Sequence, residues 1–356
     1  MGGLPREKGH NLVSISIASL IYKSKKYADW VHGSIHEFTP LVTKGEAEFF
    51  FVANDPTEDL LAHLRQRGYK HYVNYNPKRT DEELFKMGYG APEYIHRVYR
   101  GWNEAIMRAA GGTVVLVNSD NYFSPDWLEN LLKYLCTKTI VCSKLVERMH
   151  PEHGIFPRAY HGEFGSHPDD FDKENFLRLC ERVKTTGLQF GGAYMPCAFY
   201  KQVAIDVGLY PEGNLAGASF SDVAAYGDQV FFEKLSKAGV RQVTAMDSIV
   251  YHTKEGEMDA PNSPDDLTSR HKLGIDQAKI GYPRAQSVEP VTLKSEGERQ
   301  YLAMRGIHGH LVDLWALSQR QTSRAFSHTV MTMKRWLPVK LHNALRATWY
   351  LLKKAR

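Results

Sequence analysis

The segment VVLVNSDNYFSPDWLENL, residues 114–131, decides the fold of this chain. Its apolar start predicts a buried strand, which runs directly into Asn118, Ser119, Asp120 and Asn121. In an open α/β sheet, ligands bind at the carboxyl ends of the strands. The predicted strand therefore delivers these polar side chains to a ligand-binding edge.

A helix is predicted immediately after this polar cluster. Ser124 is a favourable N-cap, Pro125 suits the first helical turn, and Asp126 interacts favourably with the helix dipole. Helical spacing places four apolar side chains on one face: Leu128, Leu131, Leu132 and Leu135. We expect this face to cover the sheet.

Predicted strands alternate with predicted helices along the first half of the chain. The strand patterns cover residues 12–19, 47–54, 71–76 and 113–118. The helical patterns between them cover residues 27–35, 56–68 and 98–112. This alternation is typical of an α/β fold in which helices wind a mostly parallel sheet on both faces.

The second half is predicted to extend the sheet after a long surface segment. Residues 146–175 are rich in Pro, Gly, His and Asp, which indicates a loop. Strands are expected at 139–145 and, as one or two pieces, at 240–253, with a helix at 227–239. From about residue 296 the pattern is helical.

The basic excess of the chain lies in its C-terminal tail. Residues 314–356 contain nine Lys or Arg and no Asp or Glu. Leu341, Leu345, Trp349 and Leu352 share one helical face, which suits an anionic membrane surface. The alternative is that this face packs on the rest of the chain or on a second copy, giving a homo-oligomer. No nucleic-acid module is visible, so no nucleic-acid partner is predicted.

We expect the protein in the cytoplasm, either free or peripheral at the inner face of a membrane. No apolar run reaches the roughly 18 residues that span a bilayer, and the start, MGGLPREKGHNL, lacks a secretory signal. The four cysteines form no Cys-x-x-Cys pair, as expected of free thiols in a reducing compartment.

Four side chains form a candidate reaction site: Asn118, Asp120, Asp228 and His252. Each lies near a predicted strand end or helix start, so a wound sheet can bring them to one edge. A carboxylate and an imidazole, with positions left for phosphate oxygens and water, suit octahedral Mn²⁺ or Mg²⁺. Alternatives remain open, since Asp120 can stabilise the following turn, Asp228 can cap a helix, and His252 can be a packed residue.

Residues 100–131, RGWNEAIMRAAGGTVVLVNSDNYFSPDWLENL, resemble the core of the family 2 glycosyltransferases of GT-A fold. The resemblance rests on an Asn-containing helix, a glycine turn, an apolar strand, a motif in the Asp-x-Asp position, and a Pro before a Leu-rich helix. It implies a GT-A type, Rossmann-like wound mixed sheet, with a C-terminal helical extension beyond it. The motif reads Asn118-Ser119-Asp120, where Asn118 replaces the usual Asp.

The resemblance also implies roles for individual residues. Asp120 and His252 correspond to metal ligands, and Asp228 corresponds to the catalytic base, although Gly227 stands where Glu is common. The implied donor-binding residues are Ser19, Asn54, Asp55, Arg100, Asn103, Asn118 and Ser119. The implied domain covers 1–290, with a nucleotide-binding half at about 10–145 and an acceptor half at about 146–290, followed by a basic helical extension at 291–356.

The implied function is inverting transfer of a sugar from a nucleotide-sugar donor, a UDP-sugar, to an acceptor hydroxyl. The acceptor would be a glycan or a lipid-linked molecule, as in polysaccharide synthesis. Two alternatives remain open. One is a sugar-1-phosphate nucleotidyltransferase, which needs a glycine-rich basic loop after the first strand. The other is a non-catalytic scaffold of the same fold that binds a membrane or partner through its basic tail.

Overall fold

The computed structural model describes residues 14–149, 155–156, 158–253 and 256–259. The C-terminal extension predicted at 291–356 lies outside these residues. Within the described part of the chain, no helix is both long and apolar enough to cross a bilayer.

A mixed sheet forms the centre of the fold, and a small second sheet lies apart from it. The described strands are β1 (Ile15–Ile21), β2 (Ala47–Asn54), β3 (His71–Asn74), β4 (Tyr89–Gly90), β5 (Thr113–Val117), β6 (Asn121–Phe123), β7 (Thr139–Glu147), β8 (Tyr160–His161), β9 (Leu188–Phe190), β10 (Cys197–Tyr200), β11 (Asn214–Ala216), β12 (Val223–Ala225) and β13 (Arg241–His252). The main sheet has the order β3-β2-β1-β5-β10-β7-β13-β6, and β8 and β9 pair with β7 and β13. The small sheet has the order β12-β11-β4.

Of the described strands in the main sheet, seven run in one direction, including the short β8, which is parallel to β7. β3, β2, β1 and β5 are parallel to their neighbours, and β7 is parallel to β13. β10 is antiparallel to both β5 and β7, so those two strands point the same way. The carboxyl ends of β2, β5, β7 and β13 therefore lie at one edge of the sheet, where ligands are expected.

Helices cover both faces of this sheet. They are α1 (Lys25–Phe38), α2 (Pro40–Thr43), α3 (Glu58–Gln66), α4 (Asp81–Lys86), α5 (Glu93–Arg108), α6 (Trp127–Leu132), α7 (Lys173–Val183), α8 (Lys201–Asp206) and α9 (Gly227–Lys237). Alternate residues of β2 point to opposite faces, as strand geometry requires. Phe49 and Phe51 pack with α1, α3 and α6, whereas Phe50 and Val52 pack with α5, α8 and α9. The predicted wound sheet with helices on both faces is confirmed.

Several predicted boundaries are wrong: α5, for example, spans Glu93–Arg108, whereas 98–112 was predicted. Two of the differences have a clear physical reason. β1 continues to Ile21, two residues beyond the predicted end, because Ile21 still pairs with Ala53 of β2. α6 begins at Trp127, and its N-cap is Asp126 in the left-handed region at φ 60°. Ser124 does not cap this helix, since its hydroxyl donates to the Ile249 carbonyl at 2.8 Å.

The small sheet supports the start of α9. Asn214 in β11 accepts hydrogen bonds from the Tyr99 hydroxyl at 3.2 Å and from the Gly227 N–H at 3.1 Å. β12 ends at Ala225, and α9 begins two residues later. These contacts hold the first turn of α9, which contains Asp228, against α5.

Candidate active site

Strand register brings Asp120 and His252 together. β6 pairs antiparallel with the end of β13, so that Asn121 is opposite His252, and the Thr253 N–H donates to the Asp120 carbonyl at 3.1 Å. The Asp120 Oδ2 atom then lies 3.2 Å from the Nε2 atom of His252. The carboxylate of Asp120 therefore pairs with His252.

A second carboxylate, Glu147, lies on the other side of the imidazole. Glu147 ends β7 and is opposite His252 in the parallel register of β7 and β13. Its Oε1 atom is 2.7 Å from the His252 Nδ1 atom, and its side chain is fully buried. The sequence interpretation missed Glu147, which lies two residues after the apolar strand pattern at 139–145.

The two carboxylates control the charge of the imidazole. Burial opposes a charged ring, but Asp120 and Glu147 raise the pKa of His252 to about 10. Burial also opposes ionisation of Asp120, yet the charge on His252 holds the pKa of that carboxyl below its usual value. Without a cation, the ring is therefore protonated on both nitrogens at neutral pH and donates one hydrogen bond to each carboxylate.

The Asp120–His252 pair fits two neighbouring positions of an octahedral cation. Bonds of about 2.1 Å place adjacent ligand atoms of such an ion about 3.0 Å apart, close to the observed 3.2 Å. Among the described residues, no group of three or more His, Cys, Asp or Glu side chains forms a complete metal site.

The ends of β2 and β3 form a polar cluster near the same edge. The Asn54 Oδ1 atom accepts hydrogen bonds from the amides of Asn74 and Asn76, each at 2.8 Å. Asp55, in the left-handed region at φ 51°, accepts the Asn76 N–H at 2.7 Å and its side-chain amide at 2.9 Å. The structure thus places Asn54 and Asp55 together, and adds Asn76, which the sequence interpretation missed. Donor binding by Asn54 and Asp55 stays a prediction.

Three other predicted donor residues lie along β1 and the β5–β6 turn. Asn118 and Ser119 are half-buried, and the Asn118 N–H donates to the Asn121 Oδ1 atom at 3.0 Å, which closes the turn. Their predicted donor contacts stay predictions. Ser19 is fully buried inside β1, because the strand extends past it, so the residues at the strand end are Tyr22 and Lys23.

Arg100 and Asn103 brace α5 against the chain that follows α8. Arg100 donates to the Glu212 carboxylate through Nε at 2.9 Å and also through a terminal nitrogen. The Asn103 amide donates to the Tyr210 carbonyl and accepts from the Tyr210 N–H, both at 2.9 Å. These contacts give both side chains a structural role, and their predicted donor contacts stay predictions.

Asp228 lies in the first turn of α9, as predicted, and its Oδ1 atom accepts the Gln229 N–H at 2.7 Å. Burial raises the pKa of this carboxyl to about 6, and the hydrogen bond from the Gln229 N–H opposes this rise. Among the described residues, no hydrogen bond or ion pair joins Asp228 to Asp120 or His252. Its convergence with the Asp120–His252 pair stays a prediction.

A half-buried carboxylate from segment 256–259 binds the loop between β1 and α1. Glu257 accepts hydrogen bonds from the backbone N–H groups of Tyr22, Lys23 and Ser24 at 2.7–2.8 Å. The neighbouring Gly256 N–H donates to the Asp120 Oδ2 atom at 3.2 Å. The short segment 256–259 therefore packs directly against the Asp120–His252 pair. The loop between β1 and α1, residues 22–24, contains no glycine, whereas the nucleotidyltransferase alternative needs a glycine-rich loop there.

Residues 83–204 match the family model described as Glycosyl transferase family 2. No protein of curated function matches the chain in sequence. Within the glycosyltransferase match lie Asn118, Asp120 and Glu147, whereas Asp228 and His252 follow it.

Solved glycosyltransferase structures resemble the chain at low identity. GalNAc-T7 with UDP, GalNAc and Mn²⁺ is 15% identical, with a TM-score of 0.43, over 68% of this chain and 44% of that one. The mannosyltransferase PcManGT from Pyrobaculum calidifontis, in complex with GDP-Man and Mn²⁺, is 17% identical, with a TM-score of 0.42, over 95% of this chain and 79% of that one. TarS 1–349 of S. aureus in complex with UDP-GlcNAc is 17% identical, with a TM-score of 0.43, over 82% of this chain and 71% of that one. The chain thus spans less than half the length of GalNAc-T7.

Packing against Tyr99 restricts position 227 to glycine, where the family resemblance led us to expect Glu. A Cβ atom at Gly227 would lie closer than 3.0 Å to three carbons of the Tyr99 ring. Tyr99 is itself buried and is held by Asn214. A side chain at position 227 would therefore displace the ring that lies beside Asp228.

We predict that Gly227→Ala lowers the free energy of unfolding by about 1–3 kcal/mol, because the added methyl group overpacks the Tyr99 contact. Gly33→Ala is the matched control, since Gly33 lies inside α1 with nothing within 4 Å of an added Cβ. It should leave stability unchanged or raise it by up to about 1 kcal/mol. Urea denaturation measures both, and equal effects would contradict the packing account.

Proposed function

We propose that the protein is an inverting glycosyltransferase that transfers a sugar from a UDP-sugar to the hydroxyl of a glycan or lipid-linked acceptor, with Mn²⁺ or Mg²⁺ at Asp120 and His252. The observation that carries this proposal is the 3.2 Å approach of Asp120 Oδ2 to His252 Nε2 at the carboxyl edge of the sheet. The family match of residues 83–204 supports the reaction class.

Donor cleavage builds negative charge on the leaving diphosphate, and a divalent cation supplies the opposing charge when bound. Asp120 and His252 would hold that cation, with oxygens of the diphosphate completing its ligands. Asn54, Asp55 and Asn76 offer amide and carboxylate groups to the nucleoside, close to the ends of β2 and β3.

Asp228 is the proposed base for the acceptor hydroxyl. A base works best when its pKa lies near the working pH, and burial has raised the pKa of Asp228 to about 6. It is therefore mostly ionised at neutral pH and can still hold a proton that it receives. Attack by the acceptor oxygen opposite the leaving diphosphate inverts the anomeric configuration.

A thermal-shift screen with UDP, GDP, dTDP and CMP, each with and without Mn²⁺, tests the donor and the cation. We expect UDP with Mn²⁺ to stabilise the protein most, by about 2.7 kcal/mol at a ligand concentration of 100 Kd. Asp120→Asn should remove the Mn²⁺-dependent part, because an amide binds a cation more weakly than a carboxylate does. Asp126 is exposed, so Asp126→Asn is the matched control and should keep the Mn²⁺-dependent part of the stabilisation. If no nucleotide shifts the melting temperature, the protein is a scaffold and the proposal is wrong.

Transfer kinetics test the base. Asp228→Asn should lower kcat by about 10²–10⁴-fold while the UDP-dependent thermal shift persists, because a general base contributes on that scale. In the wild-type protein, kcat/KM should fall as the pH drops through about 6, since the protonated carboxyl cannot accept a proton. Retained turnover in Asp228→Asn would remove Asp228 from this role.

A further inference from the structure

A fully buried carboxylate stands directly behind the proposed metal ligand His252. Glu147 Oε1 is 2.7 Å from His252 Nδ1, on the side of the ring opposite Asp120. Because Nδ1 and Nε2 point in different directions, Glu147 cannot bind the same ion as Nε2. Its charge therefore acts on the site through the imidazole.

We infer that Glu147 is a positioning residue that fixes the orientation and the tautomer of His252. This inference rests on the proposed function, because it assigns a role to Glu147 at the proposed cation site. An ionised carboxylate can only accept hydrogen bonds, so it retains the ring proton on Nδ1. The lone pair of Nε2 then faces the cation position beside Asp120, and such a carboxylate also raises the basicity of the ligand.

The hydrogen bonds of Glu147 explain why a glutamine at this position could not hold His252 in the same tautomer. Oε1 meets the ring nitrogen Nδ1, and Oε2 accepts the Phe156 N–H at 2.7 Å. A glutamine must direct its NH₂ group toward one of these two donors. If the NH₂ group faces the Phe156 N–H, two hydrogen-bond donors meet. If it faces Nδ1, the imidazole must carry its proton on Nε2, where that proton blocks the cation.

The charge count of the site also fits this role. Asp120 and Glu147 are both buried and together carry two negative charges, which a divalent cation balances once His252 is neutral. Burial of a charge is costly unless the charge is paired and hydrogen-bonded, and Glu147 is both, through His252 and the Phe156 N–H. The backbone of Glu147 has a separate role, since its carbonyl accepts the Gly162 N–H at 3.0 Å.

Glu48 provides a matched control. It lies near the amino end of β2, at the opposite edge of the sheet, and its side chain is also largely buried. Its carboxylate pairs with Lys70 and accepts hydrogen bonds from Ser16 and from the Ala110 N–H. Glu48→Gln therefore removes a buried, hydrogen-bonded charge far from the proposed cation site.

Mn²⁺ affinity of the full-length chain in the presence of UDP, measured by electron paramagnetic resonance of free Mn²⁺, tests the inference. Glu147→Gln should raise the Kd for Mn²⁺ by about 10–100-fold, the usual effect of losing such a partner. Glu48→Gln should leave that Kd unchanged, even where it lowers the melting temperature. Glu147→Asp, which keeps the charge, should recover part of the affinity.

Nitrogen-15 NMR of histidine-labelled protein with Mg²⁺ and UDP provides a second readout that does not depend on activity. The wild-type His252 ring should carry its proton on Nδ1, and Glu147→Gln should lose this single tautomer. Wild-type affinity together with the wild-type tautomer in Glu147→Gln would overturn the inference and leave the proposed function intact. A wild-type protein that binds no Mn²⁺ would overturn the proposed cation, and with it this role of Glu147.

Discussion

The pairing of three strand ends determines what the proposed active site can be. β6 crosses to the far side of β13 and aligns Asn121 with His252, while β7 aligns Glu147 with the same residue. This register places one imidazole between two carboxylates at the edge where parallel strands end. A slip of one residue in the β6 pairing would separate Asp120 from His252, and a slip of one residue in the β7 pairing would separate Glu147 from His252.

The sequence was sufficient for elements whose pattern is local. β2 was predicted at its observed bounds, and α9 was predicted with Asp228 in its first turn, because strand and helix periodicity need no distant contacts. Boundaries that depend on partners were missed. The hydroxyl of Ser124 bonds to Ile249, which is far along the chain, and this contact could not be inferred from capping preference.

The same distinction applies to the site. Asp120 and His252 were recognised from motif position, and the structure brings them into contact. Glu147 was missed because its importance comes from register, which one sequence does not encode locally. The side chains of Arg100 and Asn103 form hydrogen bonds with the chain after α8, and these contacts hold α5 in place. Gly227 likewise reflects packing against Tyr99.

The most direct test of this account is the position of a bound cation. Crystals grown with UDP and Mn²⁺, with diffraction data collected at the manganese absorption edge, locate Mn²⁺ by its anomalous scattering. The account predicts a peak about 2.2 Å from both Asp120 Oδ2 and His252 Nε2, with diphosphate oxygens on its open side. A nucleotide-bound crystal with its Mn²⁺ held by other side chains would contradict it.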